Sequence, residues 1–168
     1  MNGKSFDYLL MIEGIMKPIL TTMIYCIKHN CVLLMRRNKE PNLGLWVGPG
    51  GKIEDGESSY DCAIRELYEE TGLIANTLSL KGLITEVSPR SDWQWLIFIY
   101  VTEDFVGDLI QDDREGSLEW VELSDVMSKM LPEADKIWFD KIIDNSSDVY
   151  QAKFIYDDAL NMIGIKEY

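Results

Sequence analysis

Residues 51–73 read GKIEDGESSYDCAIRELYEETGL, and the second half of this stretch decides how the chain is built. Tyr60, Ala63, Ile64, Leu67 and Thr71 recur at three- and four-residue spacing and line one face of a helix. Ser58, with Asp61 three residues on, forms a capping pair at its start. Gly72 stands where a left-handed residue ends a helix. The spacing predicts a helix over 58–71. Glu66, Glu69 and Glu70 fall on its polar side. Glu66 and Glu70 are four residues apart, so both project from one face.

Like charges this close destabilise a bare helix. A hard divalent cation prefers oxygen ligands and would remove that penalty. Arg65 lies four residues before Glu69 and can pair with it, while Glu57 lies just ahead of the helix. Acidic helix faces are most often simply solvated. Here the helix follows Gly48-Pro49-Gly50-Gly51, a turn that lets backbone approach a ligand and can offer a carbonyl as a metal ligand. Turn and carboxylate helix together would cup a metal-bound diphosphate.

Working outward, TTMIYCI (21–27) and VLLMR (32–36) flank a polar turn and predict a hairpin. Residues 38–44 form a loop by composition. Strands are predicted at 78–87 and 93–102, an acidic loop at 104–117, and short strands at Leu118–Val121 and Phe154–Tyr156. Helical segments are predicted at 124–130 and 134–143. Hairpins mixed with helices, without regular strand–helix–strand repeats, suggest an α+β fold with a mixed sheet flanked by helices.

The chain has 168 residues, 46% of them hydrophobic and 27% charged, which suits one globular domain. Its formal charge of −13 repels nucleic-acid polymers and anionic membranes, so neither is expected as a partner. A small polyphosphate can still bind if divalent cations sit between it and the carboxylates. Cys26, Cys31 and Cys62 form no close pair and fit free thiols in a reducing cytoplasm, the expected location. His29, in a Lys-His-Asn turn, is the only histidine, which argues against a histidine base. Asp7 and Glu13 interrupt the early apolar residues and argue against a signal-peptide core. Residues 1–20 read as an extension before a domain spanning 21–168.

The stretch 51–73 resembles the Nudix box: Gly, five spacers, Glu, seven spacers, then Arg-Glu-apolar-any-Glu-Glu-any-Gly-apolar. Gly51, Glu57, Arg65, Glu66, Leu67, Glu69, Glu70, Gly72 and Leu73 fill its specified positions. The resemblance implies a Nudix α/β/α sandwich and a hydrolase that cuts a nucleoside diphosphate linkage with Mg²⁺, or Mn²⁺. It implies that Glu66, Glu69 and Glu70 bind metal or activate water. It also implies that a carbonyl of Gly50 or Gly51 completes the coordination, that Glu57 is an outer partner, and that Arg65 orients the glutamates. A further acid often comes from a distal loop in this family; Asp112, Asp113 and Glu115 lie in such a loop, and Glu115 is preferred for its spacing to Trp120. Arg36, Arg37 and Lys52 could meet the phosphates.

Met130-Leu131-Pro132-Glu133, Trp138-Phe139 and Phe154-Ile155-Tyr156 resemble the tail of MutT-type enzymes that clear oxidised purine nucleoside triphosphates, where this part helps form the base pocket. Val47 stands where the animal members carry a base-reading asparagine, and Leu131 near their stacking tryptophan, so selectivity for 8-oxo-dGTP is in question. Pro89 is a competing cue, for an ADP-ribose pyrophosphatase. Trp93 and Trp95 share one side of their strand and either line a base site or fill the core, the commoner role. A non-catalytic Nudix-fold regulator is the remaining alternative, disfavoured by the intact box. Monomer and homodimer are both compatible with the sequence.

Overall fold

The computed structural model describes residues 17–110, 114, 116–144 and 148–168. Along them run β1 (Ile19–Lys28), β2 (Cys31–Arg37), β3 (Trp46–Val47), α1 (Ser59–Thr71), β4 (Ile74–Ala75), β5 (Ser79–Val87), β6 (Gln94–Thr102), β7 (Phe105–Val106) and β8 (Gly116–Glu122). A 3-10 helix over Leu123–Ser128, α2 (Glu133–Ile143), β9 (Tyr150–Tyr156) and β10 (Met162–Glu167) complete the order.

The hairpin forms as expected. His29 and Asn30 both adopt positive φ, 51° and 62°, the turn whose twist matches paired antiparallel strands, and Lys28 faces Cys31 across it. The main sheet has the order β10-β9-β5-β6-β1-β2-β3, and β8 takes the other edge of β2. β1 runs parallel to β6 and β5 parallel to β9; the remaining pairs are antiparallel, so the sheet is mixed.

Alternation along the central strands builds two cores. Ile24, Cys26, Leu33 and Tyr100 point to one face and pack on Ala63 and Leu67 of α1. Tyr25, Val32, Leu34, Ile97 and Ile99 point to the other and pack on Trp138, Phe139 and Ile142 of α2. The result is the expected α/β/α sandwich. Each large side chain so buried contributes about 1.5–3 kcal/mol.

Four local expectations change. The segment 104–117 contains β7, which pairs with β4 in a separate two-stranded sheet. Residues 124–130 form a 3-10 turn ending at Ser128 rather than a regular helix. β10 was not expected and joins as an edge strand on β9. On α1, Cys62 is buried and Tyr60 is exposed, because Tyr60 packs edge-on against Tyr100 at the rim instead of entering the core. Residues 1–16, within the expected extension, lie outside the described residues, and β1 starts at Ile19.

Candidate active site

The site begins with the ends of α1. Ser58 Oγ accepts from the Asp61 N–H at 3.1 Å and donates to the Asp61 carboxylate at 2.6 Å, fixing the first turn. Gly72 closes the helix at φ 78°. Packing of Ala63 and Leu67 on Ile24, Cys26 and Leu33 then turns the glutamates away from that core. Thr22 N–H donates to the Gly51 carbonyl at 2.9 Å, and Ile24 N–H to the Pro49 carbonyl at 2.8 Å, so the turn lies along β1. Alternation turns Gly50 the other way, toward α1, where its N–H donates to Glu70 Oε2 at 2.8 Å. Of the two carbonyls proposed as ligands, that of Gly51 is engaged with β1.

Glycine is required at both positions for different reasons. Gly50 sits at φ 151°, and a Cβ there would collide with the Thr22 carbonyl, which is backbone and cannot step aside. At Gly51 a Cβ would strike the Glu66 carboxylate, the movable end of a side chain. Gly50→Ala is therefore expected to destabilise the fold by about 3 kcal/mol, and Gly51→Ala to displace Glu66 and lower activity with a smaller loss. Urea unfolding of the two variants checks this; equal stabilities would contradict it.

Arg65 is the hub of the acidic face. Its Nε and Nη2 donate to Glu57 at 2.8 and 2.9 Å, and its Nη1 to Glu66 at 2.8 Å and Glu69 at 3.1 Å. Nη2 also reaches the Lys52 carbonyl at 3.2 Å. Hydrogen bonds from Arg65 hold the Glu57 carboxyl down at about 2. That value lies below the ordinary one, so its stabilising contribution is full above the usual carboxylate range and is lost as pH falls toward 2. Burial pushes the Glu66 carboxyl up, against the pull of Arg65. Glu69 is exposed, and Glu70 half-buried.

Among the described residues no three carboxylates, thiols or imidazoles close on a common point. The donors nonetheless suit a hard divalent cation. They are all oxygens, they come from one helix face, and the glycine turn brings backbone against Glu66. One guanidinium serves three of the carboxylates, so the cluster stays acidic. The thiols offer no competing chemistry: burial pushes Cys62 up to about 11 and Cys26 to about 12.

A cleft of about 1040 Å³ runs from these acids to the α2 side of the sheet. Glu66, Glu69, Glu70, Gly50 and Gly51 border one end, and Trp93, Trp95, Glu86, Asp135 and Tyr156 the other. Val47, Arg37 and Lys52 also line it. Arg36 does not; it is exposed and donates to the Gly44 carbonyl at 3.3 Å. Leu131 is buried in the core beside Trp138, and the next residue, Pro132, reaches the cleft wall. Trp93 and Trp95 are half-buried and border the cleft, and Trp95 also packs against the core on the α2 side. Asp112, Asp113 and Glu115 lie outside the described residues, while Arg114 borders the cleft.

The sequence reading missed Glu86 and Asp135. The signal was present: Glu86 continues the inward series Gly82, Ile84 on β5, and Asp135 shares the stripe of Trp138, Phe139 and Ile142 on α2. An acid on an apolar face is informative in itself.

The NUDIX domain family matches residues 19–143. The chain is 36% identical over 107 residues to the uncharacterized Nudix hydrolase YvcI of Bacillus subtilis, across 62% of this chain and 66%, just under two thirds, of that protein. It is 28% identical over 148 residues to the oxidized purine nucleoside triphosphate hydrolase of Mus musculus, across 88% of this chain and 94% of that one. The crystal structure of the mutator MutT protein from Bacillus halodurans superposes with a TM-score of 0.79 at 28% identity, covering 89% of this chain and 97% of that chain. No helix among the described residues is long and apolar enough to cross a membrane.

Proposed function

The chain belongs to the NUDIX family of MutT-like hydrolases, and we propose that it cuts purine nucleoside triphosphates, oxidised at the base or not, to the monophosphate and pyrophosphate with Mg²⁺ or Mn²⁺. The observation that carries this reading is the single cleft with glutamates at one end and tryptophans at the other, a fit to a molecule with a polyphosphate and a flat base. The match over most of the mouse hydrolase's length supports the triphosphate.

In this reading Glu66 and Glu70, with the Gly50 carbonyl, would hold the cation. A cation held there would supply charge to offset the phosphates and would lower the pKa of an attacking water. Arg65 keeps Glu66 and Glu69 oriented through its two short bonds. Glu69, exposed and bonded to Arg65 through Oε2, presents Oε1 to take the proton from water. Arg37 and Lys52 line the cleft and screen the phosphates from its acids. The tryptophan end stacks the base. Glu115 remains the candidate for a distal acid. The division into an extension and a catalytic domain belongs to the same proposal, with its boundary moved to Ile19, where β1 begins. We place the enzyme in the cytoplasm, as a monomer or homodimer.

A nucleotide screen with Mg²⁺, its products resolved by chromatography, tests the reading. Purine nucleoside triphosphates are expected to show a higher kcat/KM than ADP-ribose, with monophosphate and pyrophosphate as products. A higher kcat/KM for ADP-ribose than for any triphosphate would reverse the ranking.

A further inference from the structure

Between Glu57 and Arg65 the box leaves seven positions open, and one of them is occupied here by a buried thiol. Cys62 stands four residues before Glu66 and eight before Glu70, so the three form one row along α1. Successive members of the row meet successive residues of the glycine turn. Glu70 accepts from the Gly50 N–H at 2.8 Å, and the Glu66 carboxylate lies against Gly51, where a Cβ would strike it. Cys62 Sγ lies 3.8 Å from the Gly51 carbonyl and 3.5 Å from that of Lys52. Behind the sulfur stand Thr22 Oγ1 at 3.4 Å and Arg65 Nη2 at 3.5 Å. Cys62 is 0% exposed and Thr22 4%.

One sulfur therefore touches β1, the glycine turn and the guanidinium at once. A thiol carries a single proton. The carbonyls can only accept, so that proton goes to the turn, and the sulfur accepts from Arg65 and from the Thr22 hydroxyl. Separations of 3.4 to 3.8 Å suit sulfur and are too long for an oxygen in its place. Thr22 adds a second hold, since its N–H donates to the Gly51 carbonyl at 2.9 Å.

We propose that Cys62 is a positioning residue for hydrolysis: with Thr22 behind it, its thiol fixes the register of the glycine turn on α1 and so holds Gly50 and Gly51 against Glu70 and Glu66. The catalytic part of this inference rests on the metal reading above; the positioning part does not. Both carboxylates are groups that a divalent cation attracts, so their contacts to the turn change with occupancy. The neutral thiol is not drawn in this way, and unlike the two glutamates it does not line the cleft. It can keep the turn in place throughout.

Two replacements separate positioning from space filling. Valine fills the volume with no donor or acceptor; serine keeps both in a smaller side chain. A residue that only fills space is replaced better by valine, because a buried hydroxyl short of its partners is costly. Amide hydrogen exchange in chelator reads the turn without metal or substrate. The Gly50 and Thr22 amides are expected to exchange about tenfold faster in Cys62→Val than in the parent, with Cys62→Ser between the two. With Mg²⁺ and a purine nucleoside triphosphate, Cys62→Val is expected to lower kcat about tenfold and to leave KM within about twofold, and Cys62→Ser to recover most of that loss. Thr22→Val, a second variant should Cys62→Val fail to fold, is expected to lower kcat about threefold, and to cost nothing further when added to Cys62→Val. Valine equal to or better than serine in both measurements, or turn amides exchanging at the parent rate, would overturn the proposal. Loosened turn amides with hydrolysis indifferent to chelator removes the metal reading and leaves the positioning; metal-dependent hydrolysis with parent-like exchange in Cys62→Val does the reverse.

Discussion

Glu70→Gln is expected to lower kcat by on the order of a hundredfold or more at saturating Mg²⁺, about 2.7 kcal/mol of barrier, while its thermal melt in chelator stays within about 3 °C of the parent. Glutamine keeps the length and helix propensity of glutamate. Its amide oxygen can still accept from the Gly50 N–H that Glu70 now binds at 2.8 Å. The glycine turn is therefore kept. The lost charge matters to a hard cation, for which a neutral amide oxygen is a weaker ligand than a carboxylate. Two effects on stability oppose each other: relief of repulsion with Glu66 and Glu69, and a weaker hydrogen bond once the acceptor is uncharged. A glutamate that only anchored the turn would lose stability and activity together. A kcat within a few-fold of the parent would show that Glu70 does not bind the metal.

Excess chelator is expected to reduce hydrolysis to background, and added Mg²⁺ or Mn²⁺ to restore it. The reason lies in the charge balance of the helix face. Arg65 is shared among Glu57, Glu66 and Glu69, so its guanidinium is already committed to the acids of the helix face. A polyphosphate meeting these acids alone would be repelled. Near these acids Cys62 stays a thiol, and His29 sits in the turn between β1 and β2. Release of pyrophosphate, followed with the chelator and then with each metal, is the measurement. Hydrolysis at the full rate in chelator would end the reading of the glutamates as metal ligands.

The helix and its acids were legible because everything that defines them is local. Ser58, Asp61 and Gly72 mark the ends, and the three- and four-residue spacing of Glu66, Glu69 and Glu70 becomes a shared face as soon as the helix forms. The hairpin was legible for the same reason, since His29 and Asn30 supply its turn. β10 was not. Met162–Glu167 is an edge strand with a glycine and a register shift, and its single neighbour imposes no alternation of apolar and polar residues. Nor was β7, two residues long in an acidic segment, which is held by pairing with β4 and by Phe105 stacking on Trp120. Tyr60 fitted the helical period, yet it stays exposed with its ring edge-on to Tyr100, so spacing alone assigned it to the wrong environment.

By itself, then, the sequence determined the class of fold, the helix, and which carboxylates stand together on it, because those depend on interactions within a few residues. Tertiary structure decided the rest. It engaged the Gly51 carbonyl with β1 by laying the turn along that strand, and it let Arg65 reach back to Glu57 and the Lys52 carbonyl. It joined the acids of α1 to Trp93, Trp95, Glu86 and Asp135 in one cleft. Those residues come from β5, the loop before β6, β6 itself and α2, and they meet because parallel pairing of β1 with β6 and packing of α2 on the opposite face bring distant segments together. No local spacing encodes such a meeting, since it depends on which faces are buried and on what remains exposed between them.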